Sequence, residues 1–538
     1  PILIAAGSPG AIAVPGESAH RDGDDLLTAG LGIDGLRGPI PALADANAPT
    51  FAELRRRAVW TNWRGIADVA PGGGLGEVYG KLSPVPGREF HGSATVPDAT
   101  HPHRLLLQLP DAFDRERPCL VVTASSGSRG IYGAIALAGG WGLPRGCAVA
   151  YTDKGAGTDW RRVINEDGIT TDIVHVPHAH SGDHPEADWG RHVLQAAAFG
   201  RDVLVRETGI EDDALTVIAA GLSNGAGAVL RAAGDEADGL RRIDNAPGFD
   251  GVVAVAPNVH VDGVPALFDV AAEAAQTMPC ALVAAGVGPQ ATPVAASGDC
   301  HPDAAAEALA ALRAAGWTDV ALRAGALSVG FDLWRAVLAG YASSYARADA
   351  DSMPGGYRYA VRDVQGETPD ATATEAALWW SDSSGIPPGS GVMLLDPPGD
   401  DGRVRGLFAL REFGREPAVR DAIAATRALP PREDLPILLL HGLDDGLVPE
   451  WTTSARYAAF ARGHGATLAY WRVAHAQHFD AFLGNPALAA RYVPLMPYAY
   501  AALDAMWAHL HDGVALPDDL DITPTPRAAG TEGPAPLR

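Results

Sequence analysis

Short apolar runs punctuate the chain, and each breaks into a turn rich in glycine, serine or aspartate. Residues 118–124, 147–153, 214–222, 251–257, 435–440 and 467–473 all have this form. Runs with no alternating polar face read as strands buried on both sides, as in a parallel sheet covered by helices. Two strands, 89–96 and 104–109, precede them, the second ending in the turn Pro110-Asp111. Helical patterns fall between the strands at 134–138, 188–207 and 453–462, with a small-residue run to Ala233 and a closing helix over 492–511. The alternation predicts an α/β fold with a mostly parallel, doubly wound sheet.

Two stretches depart from the alternation. Residues 1–88 are rich in Gly, Pro and Asp, with one short helical or anchoring piece at 54–63, and read as an N-terminal extension wrapping the core. Residues 261–430 hold helical patterns at 305–315, 331–348 and 418–429 and strand-like ones at 357–361 and 391–395. That block is too long for a loop and too irregular for βα units. It reads as a cap inserted between the sixth and seventh core strands, splitting the core into 89–260 and 431–515. Its aromatics Trp334, Tyr341, Tyr345, Trp379 and Trp380 are read first as cap core, with a substrate platform as the alternative. A Pro- and Gly-rich tail, 516–538, is expected to be loosely ordered.

The candidate chemistry lies where apolar strands end. The run from Ala214 leads into Gly221-Leu222-Ser223-Asn224-Gly225 and then a helix, the strand–turn–helix setting of a nucleophile elbow. The two glycines remove Cβ atoms where strand and helix converge, and the helix aims its first N–H groups at the serine. A serine nucleophile needs a base and an acid to orient that base. Asp445 follows the seventh strand in Gly-x-x-Asp spacing, which favours it over its neighbour Asp444. His478 follows the last strand, with His475 as competitor. The order Ser…Asp…His is that of an α/β-hydrolase, here with a large inserted cap. The loop Ser125-Ser126-Gly127-Ser128-Arg129-Gly130 sits where an oxyanion hole is built. Asn224 and that loop, through Ser126 or Gly127, are expected to supply the N–H donors. Neither a metal nor an organic cofactor is called for.

Composition narrows the partners. A net charge of −24 argues against nucleic acid or an anionic membrane, and no apolar run is long enough for a span. Oligomeric state is left open. Only Lys81 and Lys154 are lysines, which is read as genomic bias. Cys119 and Cys147 open apolar runs and are expected to be buried small hydrophobes. Cys280 and Cys300 lie close enough to close a loop, which would favour an exported protein. His175, His178, His180, His184 and His192 cluster without a strong metal spacing and read as a polar loop near the active-site mouth.

Four segments carry a resemblance. His20–Gly32 (HRDGDDLLTAGLG), 124–159 (beginning ASSGSRGIYGAIALAGGWG), 178–191 (HAHSGDHPEADWGR) and 474–482 (AHAQHFDAF) resemble the D-(−)-3-hydroxybutyrate oligomer hydrolases. The similarity extends over most of the chain, with the long loop segment its most specific part. It implies that the family's nucleophilic serine falls on Ser223, and that the substrates are short 3-hydroxybutyrate oligomers and dimers, cleaved to monomer. Such oligomers end in a carboxylate, so the site should hold a cation. Arg129, beside Ser128, is the expected partner, and a structural salt bridge holding the loop is its equal alternative. The resemblance and the absence of an initiator methionine lean toward a secreted or periplasmic protein, with the cytoplasm as the alternative. A second reading is a tannase- or feruloyl-esterase-like enzyme, whose cap aromatics would line a phenolic pocket.

Overall fold

The computed structural model describes residues 16–45, 49–75, 79–127, 129–155, 159–164, 170–175, 182–240, 245–287, 300–330, 332–348, 352–361 and 392–527. The strands are β1 (Glu17–His20), β2 (Gly87–Ala94), β3 (His103–Pro110), β4 (Cys119–Ala124), β5 (Ala148–Thr152), β6 (Asp159–Ile164) and β7 (Thr170–His175). After them come β8 (Thr216–Leu222), β9 (Gly251–Val255), β10 (Arg358–Val361), β11 (Val392–Leu395), β12 (Ile437–Gly442), β13 (Leu468–Val473) and β14 (Leu520–Ile522). Ten of them form one sheet in the order β1-β2-β3-β5-β4-β8-β9-β12-β13-β14. From β5 to β14 every neighbouring pair is parallel, and β1, β2 and β3 are antiparallel to their neighbours. With β2 as the first core strand, the exchange of β4 and β5 is the α/β-hydrolase strand order.

Side chains of β4 and β8 alternate between two apolar layers, as a pleated strand requires. Leu120, Val122, Val217 and Ala219 enter one layer with the helices Trp189–Thr208 and Asn224–Ala237. Val121, Ile218, Ala220 and Leu222 enter the other, with the helix Met496–Asp512 and residues 26–79. Both faces are thus covered, which explains the uninterrupted apolar runs.

The N-terminal region is fastened by charge as well as packing. The helix Phe51–Ile66 starts in a Thr50–Glu53 capping box. From it buried Arg55 reaches both carboxylate oxygens of Glu89 on β2, at 3.0 and 2.9 Å, and Asp24 at 3.0 Å. Glu89 also accepts from Tyr132 and Gln108, both at 2.8 Å. Burial alone would raise the Glu89 pKa, but Arg55 and the surrounding hydrogen bonds hold it well below the usual carboxylate range.

Between β9 and β12 the chain leaves the sheet. It forms the helices Leu267–Ala284, Pro302–Ala314, Asp319–Gly330, Leu333–Tyr345, Gly402–Phe413 and Pro417–Ala424, and pairs β10 with β11. Trp317, Trp334, Tyr341 and Leu410 of this insertion join the same apolar layer as the helix Asn224–Ala237. Trp379 and Trp380 lie outside the described residues.

Several expectations need correction. Cys119 and Cys147 are buried, but they are bonded to each other, stapling the starts of β4 and β5; Cys280 pairs with Cys300. The tail is not all loose, because Leu520–Ile522 adds in parallel to β13. Leading into the histidine-rich segment, β6 and β7 pair as an antiparallel ribbon for which the sequence reading has no strands. The short helix after β4 opens as a turn of π-helix, Ile135–Gly139. Among the described residues, no helix is long and apolar enough to cross a membrane.

Candidate active site

Ser223 stands alone between the end of β8 and the start of the helix Asn224–Ala237, with φ 59° and ψ −124°. The conformation is strained for a residue with a Cβ. It is held by three backbone bonds: the Ser223 N–H donates to Val255 at 2.9 Å, and its carbonyl accepts from Gly227 at 3.0 Å and from Asn258 at 3.1 Å. The glycines are required sterically. A Cβ on Gly221 would lie 2.3 Å from the Gly225 carbonyl oxygen, and one on Gly225 would lie 2.3 Å from that of Ala124.

His478, from the turn after β13, places Nε2 2.8 Å from Ser223 Oγ. Its Nδ1 lies 2.5 Å from Asp445 Oδ2. Asp445, from the turn after β12, turns Oδ1 to the N–H groups of Leu447 and Val448 at 2.9 and 2.7 Å. Burial alone would raise its pKa. The charge of His478 and the hydrogen bonds from His441 and His478 outweigh burial and hold it well below the usual carboxylate range. All three groups are buried. The competitors have other partners: Asp444 Oδ1 accepts the His475 N–H at 3.1 Å, and His475 takes φ 61° in the same turn.

His441 is a participant that strand patterning hides. It sits inside the apolar run of β12, fully buried, with Nε2 3.2 Å from Asp445 Oδ2 and 2.9 Å from the Val448 carbonyl. Its Nδ1 meets Ser454 Oγ at 2.5 Å. The only trace in sequence is a histidine four residues before the acid.

The loop after β4 divides its roles. The Ser126 N–H is turned to the Gly133 carbonyl at 3.3 Å, so of the two loop residues expected to supply a donor, Gly127 has the amide without an acceptor among the described residues. The Asn224 N–H, at the first position of its helix, faces no helical acceptor. Ser128 lies outside the described residues. Arg129 is 4% exposed; its Nη2 donates to the Gly65 carbonyl at 2.9 Å and its guanidinium lies 5.6 Å from the Phe479 ring. That geometry ties the loop to the helix Phe51–Ile66.

Two side chains from outside the elbow frame Asn224. Asn258 Nδ2 donates to Asn224 Oδ1 at 3.0 Å and to the Tyr341 hydroxyl at 2.9 Å. Tyr341, from the inserted helix Leu333–Tyr345, donates to Asn224 Oδ1 at 3.0 Å. Of the histidine-rich segment, two histidines have described side chains, and both are buried. His184 is buried against Glu186, Ser344 and the Ala422 carbonyl, and His192 packs on His103 with centroids 4.4 Å apart. His178 and His180 lie outside the described residues. Among the described residues, no three His, Cys, Asp or Glu side chains converge as a metal site would require.

Strand order and elbow geometry define the class: the chain is an α/β-hydrolase. A family model described as 3HB-oligomer hydrolase matches residues 9–175, 167–281 and 268–537. The D-(-)-3-hydroxybutyrate oligomer hydrolase of Paracidovorax citrulli (strain AAC00-1) is 33% identical across 96% of this chain and 89% of its own length. That of Cupriavidus metallidurans (strain CH34) is 33% identical across 95% of this chain and 86% of its own. The chain belongs to the 3HB-oligomer hydrolase family and is a carboxylic ester hydrolase. Among solved structures, the rice cell wall degrading esterase LipA from Xanthomonas oryzae covers 79% of this chain and 92% of its own, at 12% identity and a TM-score of 0.43. Feruloyl esterase B from Aspergillus oryzae covers 81% and 83%, at 13% identity and a TM-score of 0.40. At such scores neither likeness adds to what the strand order shows.

Proposed function

We propose that this chain is a serine esterase that cleaves short linear 3-hydroxybutyrate oligomers and dimers to 3-hydroxybutyrate through an acyl-enzyme. The observation that carries the reading is the continuous line Ser223–His478–Asp445, at 2.8 and 2.5 Å, in a chain of this family. His478 takes the Ser223 proton as Oγ attacks the ester carbonyl carbon. Asp445 fixes the imidazole tautomer with Nδ1 protonated and stabilises the imidazolium that forms. Its own remaining lone pairs are engaged by Leu447, Val448 and His441. The N–H groups of Asn224 and Gly127 receive the oxyanion. Collapse of the tetrahedral intermediate breaks the ester C–O bond, and His478 returns its proton to the departing alkoxide. Water, deprotonated by His478, then releases the acyl group and restores Ser223. No cofactor enters these steps.

The insertion between β9 and β12 acts as a cap in this reading, because its Tyr341 reaches the residue after the nucleophile. The two disulfides support an exported protein, since such bonds persist in oxidising compartments.

Hydrolysis of the linear 3-hydroxybutyrate dimer and trimer by the parent and by Ser223→Ala tests the reading, with ethyl ferulate and a p-nitrophenyl ester alongside. Release of 3-hydroxybutyrate by the parent, lost in Ser223→Ala, is expected. Turnover confined to the aromatic or activated esters would overturn the substrate, and hydrolysis retained in Ser223→Ala would overturn the triad.

A further inference from the structure

Lys154 follows β5, and its side chain is fully buried although, among the described residues, no carboxylate hydrogen-bonds it. Its Nζ donates to the Gly127 carbonyl at 2.5 Å and lies 5.1 Å from the centroid of the Trp189 ring. The backbone around it is fixed: Lys154 has φ 49°, and its N–H donates to Thr152 Oγ1 at 2.9 Å. In a chain that otherwise uses arginine almost throughout, a compact point donor stands at this carbonyl.

The loop's other ties lie beyond Gly127, from Arg129 to the Gly65 carbonyl and from Asn62 to the Arg129 carbonyl, and among the described residues Lys154 is the hydrogen-bond partner seen for Gly127. Gly127 and Gly130 both have positive φ, at 54° and 69°, so neither has a Cβ to limit its backbone. Of the turn's internal backbone bonds, Ser126 N–H to Gly133 and Arg129 N–H to Ser126, which flank Gly127, are long at 3.3 Å each, while Gly133 N–H to Gly130 is 3.0 Å. The bond from Lys154 is shorter and charge-assisted. It fixes the Gly127 carbonyl, and with it the residue whose N–H is the loop's candidate oxyanion donor. While protonated it also sets a cation one residue from the place where negative charge develops, among buried side chains. Burying an ammonium for one carbonyl bond costs stability, so packing alone does not account for it.

We propose that Lys154 is a positioning residue for the oxyanion hole, acting through the Gly127 carbonyl rather than on the substrate carboxylate. This rests on the Ser223 reading above, and the measurements separate the two. Lys154→Met, Lys154→Arg and Ser223→Ala are compared with the parent on p-nitrophenyl butyrate, on the free-acid 3-hydroxybutyrate dimer and on its methyl ester. Affinity for an alkyl trifluoromethyl ketone, which forms a tetrahedral adduct with a serine nucleophile, and a thermal melt complete the set. Lys154→Met is expected to lower kcat at least about tenfold on all three esters, toward the roughly 10²–10³-fold loss of removing an oxyanion donor outright. KM stays within about threefold, the ketone weakens by the same factor as kcat, and Lys154→Arg, which keeps a charged donor, recovers part of the loss. An unchanged kcat, or a loss that appears only as a raised KM for the free-acid dimer, overturns the proposal. Should Lys154→Met fail to fold, Lys154→Arg decides on the same readouts: no defect in ketone affinity or kcat relative to KM would sink it. Hydrolysis retained in Ser223→Ala would instead condemn the triad.

Discussion

At the scale of single residues, the site is built from groups that would each be unfavourable elsewhere. Ser223 has positive φ, Asp445 is an ionised carboxylate with no exposure to speak of, and Lys154 is a fully buried amine. Burial pushes the Lys154 pKa from its usual 10.5 down to about 7, against the opposing pull of Glu186 and Asp153. Between those two values the unfolded chain holds the proton and the folded chain does not. Unfolding then takes up a proton, so this group makes stability rise with pH from about 7 to about 10 and contributes no slope below that window. Denaturation midpoints of the parent and Lys154→Met should therefore diverge in the parent's favour across that range, with Glu186, Asp153 and His192 common to both; a constant difference would contradict a neutral lysine in the fold. Ser223, Asp445 and His478 are legible in sequence because each follows an apolar strand at a characteristic spacing. His441, Lys154 and Tyr341 are not, because what each does depends on a partner more distant in fold than in pattern: His441 looks like one more residue of a buried strand.

At the scale of elements, the strands were the easy part to read. From β4 onward the core strands are largely apolar and closed by turn residues, so their positions follow from the pattern. Helices Leu267–Ala284, Asp319–Gly330 and Gly402–Phe413 were missed. The first carries Pro279 inside it and is buried along most of its length, so neither an amphipathic stripe nor a proline-free run announces it. Pairing of Cys119 with Cys147 was hidden for another reason, since a cysteine at the head of a buried strand is also an ordinary small hydrophobe. The bond spans 28 residues, and closing a loop of that length restricts the unfolded chain by roughly 3–4 kcal/mol. Replacing both with serine should lower the guanidinium unfolding free energy by about that amount; a midpoint unchanged in the double variant would show that the bond does not form.

At the scale of the whole molecule, core and insertion share one apolar layer and one hydrogen-bond network. Arg231 of the helix Asn224–Ala237 donates to the Glu186 and Ala187 carbonyls and, at 3.3 Å, to that of Ala425 beyond the insertion's last helix. Glu186 in turn accepts from Ser344 of the helix Leu333–Tyr345. The most direct link is Tyr341 to Asn224. Tyr341→Phe removes one hydroxyl at the residue proposed to supply an oxyanion N–H, so kcat should fall about three- to tenfold with KM little changed, a loss of roughly 1 kcal/mol. Steady-state kinetics on the dimer would check it, and a rise in KM at constant kcat would show that the tyrosine serves substrate binding instead.

That one hydroxyl also limits how such an enzyme can be remodelled. A lid that only closes over a pocket can be traded for another to change what enters. Here, on the proposed mechanism, the inserted segment holds the residue next to the nucleophile. A transplanted segment without an equivalent of Tyr341 would arrive with a new entrance and a detuned engine, and breadth of substrate could not be selected independently of turnover.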